Sequence, residues 1–378
     1  MNETMQQGSS SLMETIKREI AAASEQAISF RRFMELCLYH PSLGYYMRSE
    51  EKIGRSGDFY TAASIGGLLA DTIAEWIVNE PFWTGRAAET VRIAEWGGGS
   101  GKLAVQLLDT LQATAPELYG RLEYISVETS GYHRELQSSV LTDHAGKVRY
   151  YTADQWYRQG PWVNTLVLSN ELPDAFPVFR IVVSNGRWME KVVYWDEEKN
   201  ELAEAERLLT DEAVLAYIRE EHIPCREGQQ FEVNLAATDW MRSVAAALEQ
   251  GTVLTIDYGD VGEELYAPHR MNGTLLCYRK HVASDTPLQF PGEQDMTAHV
   301  NFSALIRAGE NGGLKATELM TQKQFLVRNG LLQRLQSHDA RDPFSPEARR
   351  NRAIRQLLLS DQMSELFKVL IQKKEPPS

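Results

Sequence analysis

Eight consecutive residues carry the densest chemistry in the chain: Glu95-Trp96-Gly97-Gly98-Gly99-Ser100-Gly101-Lys102. They follow a strand-like apolar run, Val91 to Trp96, and precede a helical stretch, Lys102 to Thr114. A turn placed there brings backbone close to a ligand and aims the first N–H groups of the helix at it. Glycine is needed because a Cβ would block that approach. The spacing sorts the ligands. A phosphate-binding P-loop needs GxxxxGK[ST], but Trp96 stands at the leading position and Leu103 follows Lys102, so both ends fail. A dinucleotide fingerprint needs GxGxxG. Gly97 and Gly99 fit, but Lys102 stands at the third position and Gly101 sits one residue early.

An acid followed by GxGxG resembles the turn of S-adenosylmethionine-dependent methyltransferases; the alternative is a glycine-rich connector that holds no ligand. S-adenosylmethionine carries no phosphate, so a tight glycine turn can approach its amino-acid end. Glu95 could accept from the ammonium group or organise the turn. Glu128 ends the next strand, 27 residues past Gly101, and could take both ribose hydroxyls. Ser100 and Gly101 complete the turn. Asp154 follows a third strand; it could accept from the adenine amino group or cap a helix before Gln155 and Trp156. Asn170-Glu171-Leu172-Pro173-Asp174 follows a fourth strand, at the edge where open sheets bind ligands. Trp96 could stack on a neighbour or on the ligand.

These residues need a frame. Strand-like runs at Val91 to Trp96, Leu122 to Val127, Val148 to Thr152 and Thr165 to Ser169 alternate with helical stretches. That alternation predicts an α/β fold with a parallel sheet covered on both faces. Residues Met1 to Ser11 look disordered, with helices at Leu12 to about Gln26, Phe30 to Tyr39 and Ile65 to Asn79. Phe179 to Ser184 and Arg187 to Trp195, around Asn185-Gly186, predict a hairpin that interrupts the alternation. Val253 to Asp257 is a further buried strand, and Lys315 to Leu319 another. From Gln322 to about Val369 the chain reads as mostly helical. The expected organisation is an N-terminal helical segment, 1–80; a cofactor-binding half, 81–178; an inserted hairpin and helical substructure, 179–250; the rest of the core, 251–330; and a helical C-terminal extension, 331–378.

Composition narrows the function classes. The 378 residues can bury a sizeable core without disulfides or metal. Lys plus Arg number 39 against 52 Asp plus Glu, a net charge of −13. A surface that acidic disfavours a nucleic-acid partner. Three separated cysteines, Cys37, Cys225 and Cys277, form no CxxC pair and suit a reducing compartment. No basic leader followed by an apolar stretch opens the chain, and no apolar run approaches the ~20 residues of a membrane helix. The expectation is a soluble cytoplasmic protein without a membrane or metal partner.

The glycine run and Asn170-Glu171 to Asp174-Ala175-Phe176-Pro177 resemble the MidA-like methyltransferases, whose members include a mitochondrial complex I assembly factor that methylates an arginine of a complex I subunit. Further stretches carry the same resemblance in order: His40-Pro41-Ser42-Leu43-Gly44-Tyr45-Tyr46, Gly57-Asp58-Phe59-Tyr60-Thr61, Ile256-Asp257-Tyr258-Gly259, Asp295 to Phe302 and Thr321 to Leu326. The resemblance implies a class I, Rossmann-like fold with an insertion, S-adenosylmethionine as methyl donor and protein arginine as acceptor. This sequence departs from the family pattern at Ser64, where the family has a glutamate, at Asn301, where it has an aspartate, and at Leu172 and Pro173, where bulky aromatics are expected.

Methyl transfer to arginine requires alignment at ~3–3.5 Å. It also requires carboxylates that hold a guanidinium with a pKa above ~12. Glu171, Asp174 and Asp257 are the candidates, with Tyr258 and His299 to position substrate or accept the proton. Asp257 and Tyr258 could instead shape a turn, and His299 could be structural. Tyr45 and Tyr46 could be core residues or cover the cofactor. A methyltransferase on a small molecule or a non-arginine acceptor, and a non-catalytic assembly protein, are the rival functions.

Overall fold

The structure, a computed structural model, describes residues 2–49, 67–80, 89–280, 282–337, 342, 345–359 and 365–375, with side chains described from residue 12. Ser64 and the Gly57-to-Thr61 block lie outside them. Two compact units emerge. The sheet unit comprises Tyr60–Leu172, Arg242–Tyr258 and Gly309–Ser378; the insert unit comprises Met1–Phe59, Pro173–Met241 and Gly259–Ala308.

The sheet unit is built on β2 (Val91–Trp96), β3 (Leu122–Val127), β4 (Val148–Tyr151), β5 (Thr165–Asn170), β10 (Gly251–Asp260), β15 (Lys315–Thr321) and β16 (Phe367–Lys374). Their order is β15-β16-β10-β5-β2-β3-β4. From β2 the chain goes outward to β3 and β4. It then returns to the other side of β2 with β5. The crevice between β2 and β5 is therefore the switch point where open α/β sheets bind ligands. The strands β2, β3, β5 and β10 are parallel neighbours. β2 and β5 are buried on both faces over most of their length, as a sheet covered by helices demands. Helices α3 (Leu68–Asn79), α4 (Lys102–Thr114), α5 (Gly131–Val140) and α6 (Ala153–Gln159) supply that cover. The core joins Leu68, Ile73, Leu107 and Leu111 to Ile93, Tyr124, Leu166 and Leu254.

The insert unit holds α1 (Asn2–Ala22), α2 (Phe30–Tyr39) and α7 (Glu212–Glu220) around a sheet of β1 (Ala27–Ser29), β7 (Arg187–Asp196), β6 (Phe179–Ser184) and β9 (Gln230–Val233), with β8 (Glu201–Leu208) paired to β7. The expected hairpin is present. Ser184 pairs with Arg187, and Asn185 and Gly186 both have positive φ, the backbone that two-residue hairpin turns need. A second sheet joins β12 (Val282–Ser284), β11 (Leu276–Arg279) and β13 (Asp295–Thr297). Two residues of β14 (Val300–Asn301) pair with Gly259 and Asp260. Helices α8 (Leu235–Ala247) and α9 (Phe302–Asn311) complete the middle of the chain.

Three expectations are revised. Helix α1 starts at Asn2 rather than Leu12; Leu12, Ile16 and Ile20 make its buried stripe. The 1–80 segment is not one piece, since α1 and α2 belong to the insert unit and α3 to the sheet unit, and residues 259–308 join the insert as well. The C-terminal region is not a helical extension. After α10 (Gln322–Arg328) and α11 (Pro346–Leu359), residues Phe367–Lys374 form β16, antiparallel to both β10 and β15. Val369, Leu370 and Ile371 are a short apolar run, whose periodicity does not separate a buried strand from a buried helix.

Candidate functional site

Register brings the sequence-distant candidates to one edge of the sheet unit. Trp96 lies level with Val127 and Ser169, Val127 with Tyr151, and Ser169 with Thr255. The next residue of four strands therefore emerges at the carboxyl edge, Gly97, Glu128, Thr152 and Asn170, while β10 runs on past it to Asp260.

Gly97 continues the pairing through its N–H to the Val127 carbonyl, 3.0 Å. The chain then turns through positive φ at Gly97, Gly99 and Gly101 before α4 begins. Side chains are excluded there by the protein itself. A Cβ on Gly97 would fall 2.8 Å from Leu172 Cδ1, and one on Gly98 would fall 2.3 Å from Glu95 Oε2. A Cβ on Gly101 would meet Gln137 Cγ at 3.0 Å and Val140 Cγ2 at 3.1 Å. Trp96 does not point outward: it is buried against Trp156 and Tyr157, with ring centroids 5.3 and 5.4 Å away.

The two acids do different work. Glu95 is 3% exposed and accepts from the Tyr124 hydroxyl at 2.8 Å. Burial pushes its carboxyl up to about 7, opposed by the Tyr124 bond. It lies against Gly98. Glu128 accepts from the Ser130 N–H at 2.9 Å, and His133 Nδ1 lies 3.9 Å from its other oxygen. Burial raises its pKa, while the backbone N–H groups of Ser130, Thr129 and Gly99 favour its charged form.

Asp154 lies in the first turn of α6 with its side chain 80% exposed, 3.7 Å from Arg158. The cap of that helix is Thr152, in a capping box with Gln155, so the capping alternative for Asp154 fails. Asn170 Nδ2 donates to Glu171 Oε1 at 3.3 Å. Its Oδ1 is buried with no hydrogen-bond partner, as is the neighbouring Ser169 Oγ. Glu171 has φ of +52°, which is uncommon for a side chain of its size, and its N–H donates to the Ile256 carbonyl at 2.9 Å. An acceptor left open beside a glycine cradle and a buried acid fits a ligand rich in N–H and O–H donors.

The catalytic candidates divide between the units. Glu171, Asp257 and Tyr258 belong to the sheet unit, Asp174 and His299 to the insert unit. Asp257 is fully buried and accepts from the Tyr258 N–H at 2.8 Å. The Tyr258 ring packs on Phe367, with centroids 3.9 Å apart. Asp174 sits in the 3₁₀ turn Pro173–Ala175, 2% exposed; its carbonyl accepts from the Ala298 N–H at 2.9 Å. The adjacent His299 donates its N–H to Thr274 Oγ1 at 3.0 Å.

Several partners were not legible in the sequence. Tyr46 donates to Asp295 Oδ1 at 2.6 Å, and burial, then Asp295, holds its phenol well above the usual tyrosine range. Tyr45 is core. Asn301 donates to Glu221 Oε2 at 2.9 Å and to the Tyr217 hydroxyl at 3.0 Å, and Glu221 also pairs with Arg307. Gln137 braces the glycine turn. No signal in the sequence marks these residues, since each partner is distant along the chain. Among the described residues no group of His, Cys, Asp and Glu could hold a metal, and no helix is long and apolar enough to cross a membrane.

A family model of S-adenosyl-L-methionine-dependent methyltransferases matches residues 72–320. The chain belongs to this family. It is the MidA-like family that the ordered motifs resemble. A Burkholderia thailandensis protein solved with S-adenosyl-homocysteine bound is similar over 100% of this chain and 95% of its own, at 30% identity and a TM-score of 0.86. The protein arginine methyltransferase NDUFAF7 homolog of Drosophila melanogaster is 25% identical, over 81% of this chain and 71% of its own length. The Danio rerio NDUFAF7 is 25% identical, over 87% and 79%. The chain is therefore an S-adenosylmethionine-dependent methyltransferase of class I fold, and the edge of β2, β3 and β5 is its candidate cofactor site.

Proposed function

We propose that this methyltransferase acts on an arginine side chain of a protein substrate. The supporting observation is the set of relatives named as protein arginine methyltransferases, similar over four-fifths or more of this chain. In this reading Gly97, Gly99, Ser100 and Gly101 cradle the amino-acid end of the cofactor, with Glu95 beneath them. Glu128 takes the ribose hydroxyls, Asn170 offers its open Oδ1, and exposed Asp154 takes the adenine amino group.

When bound, the cofactor supplies an electrophilic methyl: the nitrogen–carbon bond forms as the sulfur–carbon bond breaks, sulfur keeps the electron pair, and the nitrogen sheds a proton. The protein must hold the guanidinium and localise its charge away from the attacking nitrogen. Glu171 is the first choice, because it stands at the carboxyl edge of β5 on a strained backbone that fixes its direction. Asp257, in the same unit, is its partner in this reading, and Tyr258 positions the substrate or takes the proton.

The test is mass spectrometry of arginine-containing protein substrates incubated with enzyme and S-adenosylmethionine. Glu171→Gln should lose turnover by about 100-fold or more while keeping cofactor affinity within about threefold. Methyl appearing only on a non-arginine residue or a metabolite would reject the arginine reading. Full turnover in the variant would remove Glu171 from it.

A further inference from the structure

A turn with four glycines in five residues has only the Ser100 side chain to hold its shape. Glycine loses more conformational freedom on ordering than any other residue. Something else must keep the turn in one form before the ligand arrives. The structure supplies a brace from the next helix. Gln137, on α5, is 1% exposed, and its Nε2 donates to the Gly99 carbonyl at 3.0 Å. Its Oε1 accepts from the Ser126 hydroxyl of β3 at 2.5 Å, which fixes the orientation of the carboxamide. A Cβ on Gly101 would come within 3.2 Å of Gln137 Cα, and one on Gly98 within 3.4 Å of Gln137 Nε2. The Gly99 N–H, on the other side of the same Cα, is one of the backbone donors acting on Glu128. Gly99 is therefore anchored at its carbonyl.

We propose that Gln137 is a positioning residue for the methyl donor: its carboxamide, oriented by Ser126, locks the Gly99 carbonyl and so pre-organises the glycine turn for S-adenosylmethionine. The inference rests on the reading that this turn holds the cofactor. Pre-organisation raises affinity by removing an ordering cost that binding would otherwise bear. Gln137 makes no contact with the reacting atoms in this account. Its loss therefore shows in the dissociation constant.

Titration calorimetry of the full chain with S-adenosylhomocysteine tests this, with Gly99→Val as the control for the site. Gln137→Leu, which keeps the bulk and removes both hydrogen bonds, should bind about 10- to 100-fold more weakly. Gln137→Glu separates positioning from packing. At about pH 8 its carboxylate cannot donate to the Gly99 carbonyl, and binding should be weak. At about pH 5.5 a buried acid with a raised pKa is protonated and donates again, so affinity should recover relative to the parent at the same pH. Ser126→Ala leaves the volume nearly intact and should weaken binding by about three- to tenfold, which keeps the test available if Gln137→Leu does not fold. Gln137→Leu, or Ser126→Ala in its place, binding like the parent while Gly99→Val does not bind would overturn the role of Gln137. A Gln137→Glu loss equal at both pH values would do the same. Gly99→Val binding like the parent would instead overturn the site reading itself.

Discussion

The sheet unit and the insert unit use buried polar groups in opposite ways. At the sheet edge, Glu95 and Glu128 are tied down by neighbours that shape a backbone turn, and Asn170 keeps an acceptor open. In the insert, Asn301 spends its amide on Glu221 and Tyr217, and its Oδ1 accepts from the Ala304 N–H at 3.3 Å. Tyr46 is likewise committed to Asp295. The first arrangement leaves an acceptor open at the candidate site; the second closes a network on itself. A sequence departure therefore has different weight in the two places. Asn301, where the family pattern has an aspartate, has a structural account: a carboxylate there would face Glu221.

The comparison can be broken most strongly at the join of β10 and β16. Phe367 is fully buried and packs on Tyr258. Phe367→Ala should destabilise the protein by about 3–5 kcal/mol in chemical denaturation. A loss under about 1 kcal/mol would mean that the C-terminal strand does not belong to the core of the sheet unit.

Asn301→Asp probes the closed network. It removes a donor to Glu221 and sets two buried carboxylates together, while the cap on α9 and the Arg307 pair remain. The expected loss at pH 7 is about 1–3 kcal/mol, shrinking as the pH falls and one acid protonates. Stability equal to the parent at pH 7 would show that Glu221 does not depend on the amide.

The smallest effect is a pH dependence at Glu95. Its folded pKa, about 7, lies above that of an unfolded glutamate, about 4.3. Between those values the folded state binds more protons, so rising pH costs stability through this window and not below it. Glu95→Gln should remove that dependence, gaining roughly 1–2 kcal/mol on the parent between pH 5 and pH 8. Parallel denaturation profiles for the two proteins would show that Glu95 is ionised without cost.

The alternation of strands and helices, the glycine turn and the acids at strand ends follow from local rules visible in the chain. Positive φ demands glycine at Gly97, Gly99 and Gly101, and a βα turn demands a strand before it and a helix after it. Equal register then carries Glu128 and Asn170 to the same edge. The order of elements says nothing of partners met across the fold. That Trp96 packs away from the turn, and that Gln137 holds Gly99, depend on contacts between residues tens of positions apart. So does the pairing of Asn301 with Glu221, 80 residues away. The C-terminal strand shows the same limit in the backbone. Val369, Leu370 and Ile371 could lie in either kind of element, and only the open hydrogen-bonding edges of β10 and β15 make them a strand.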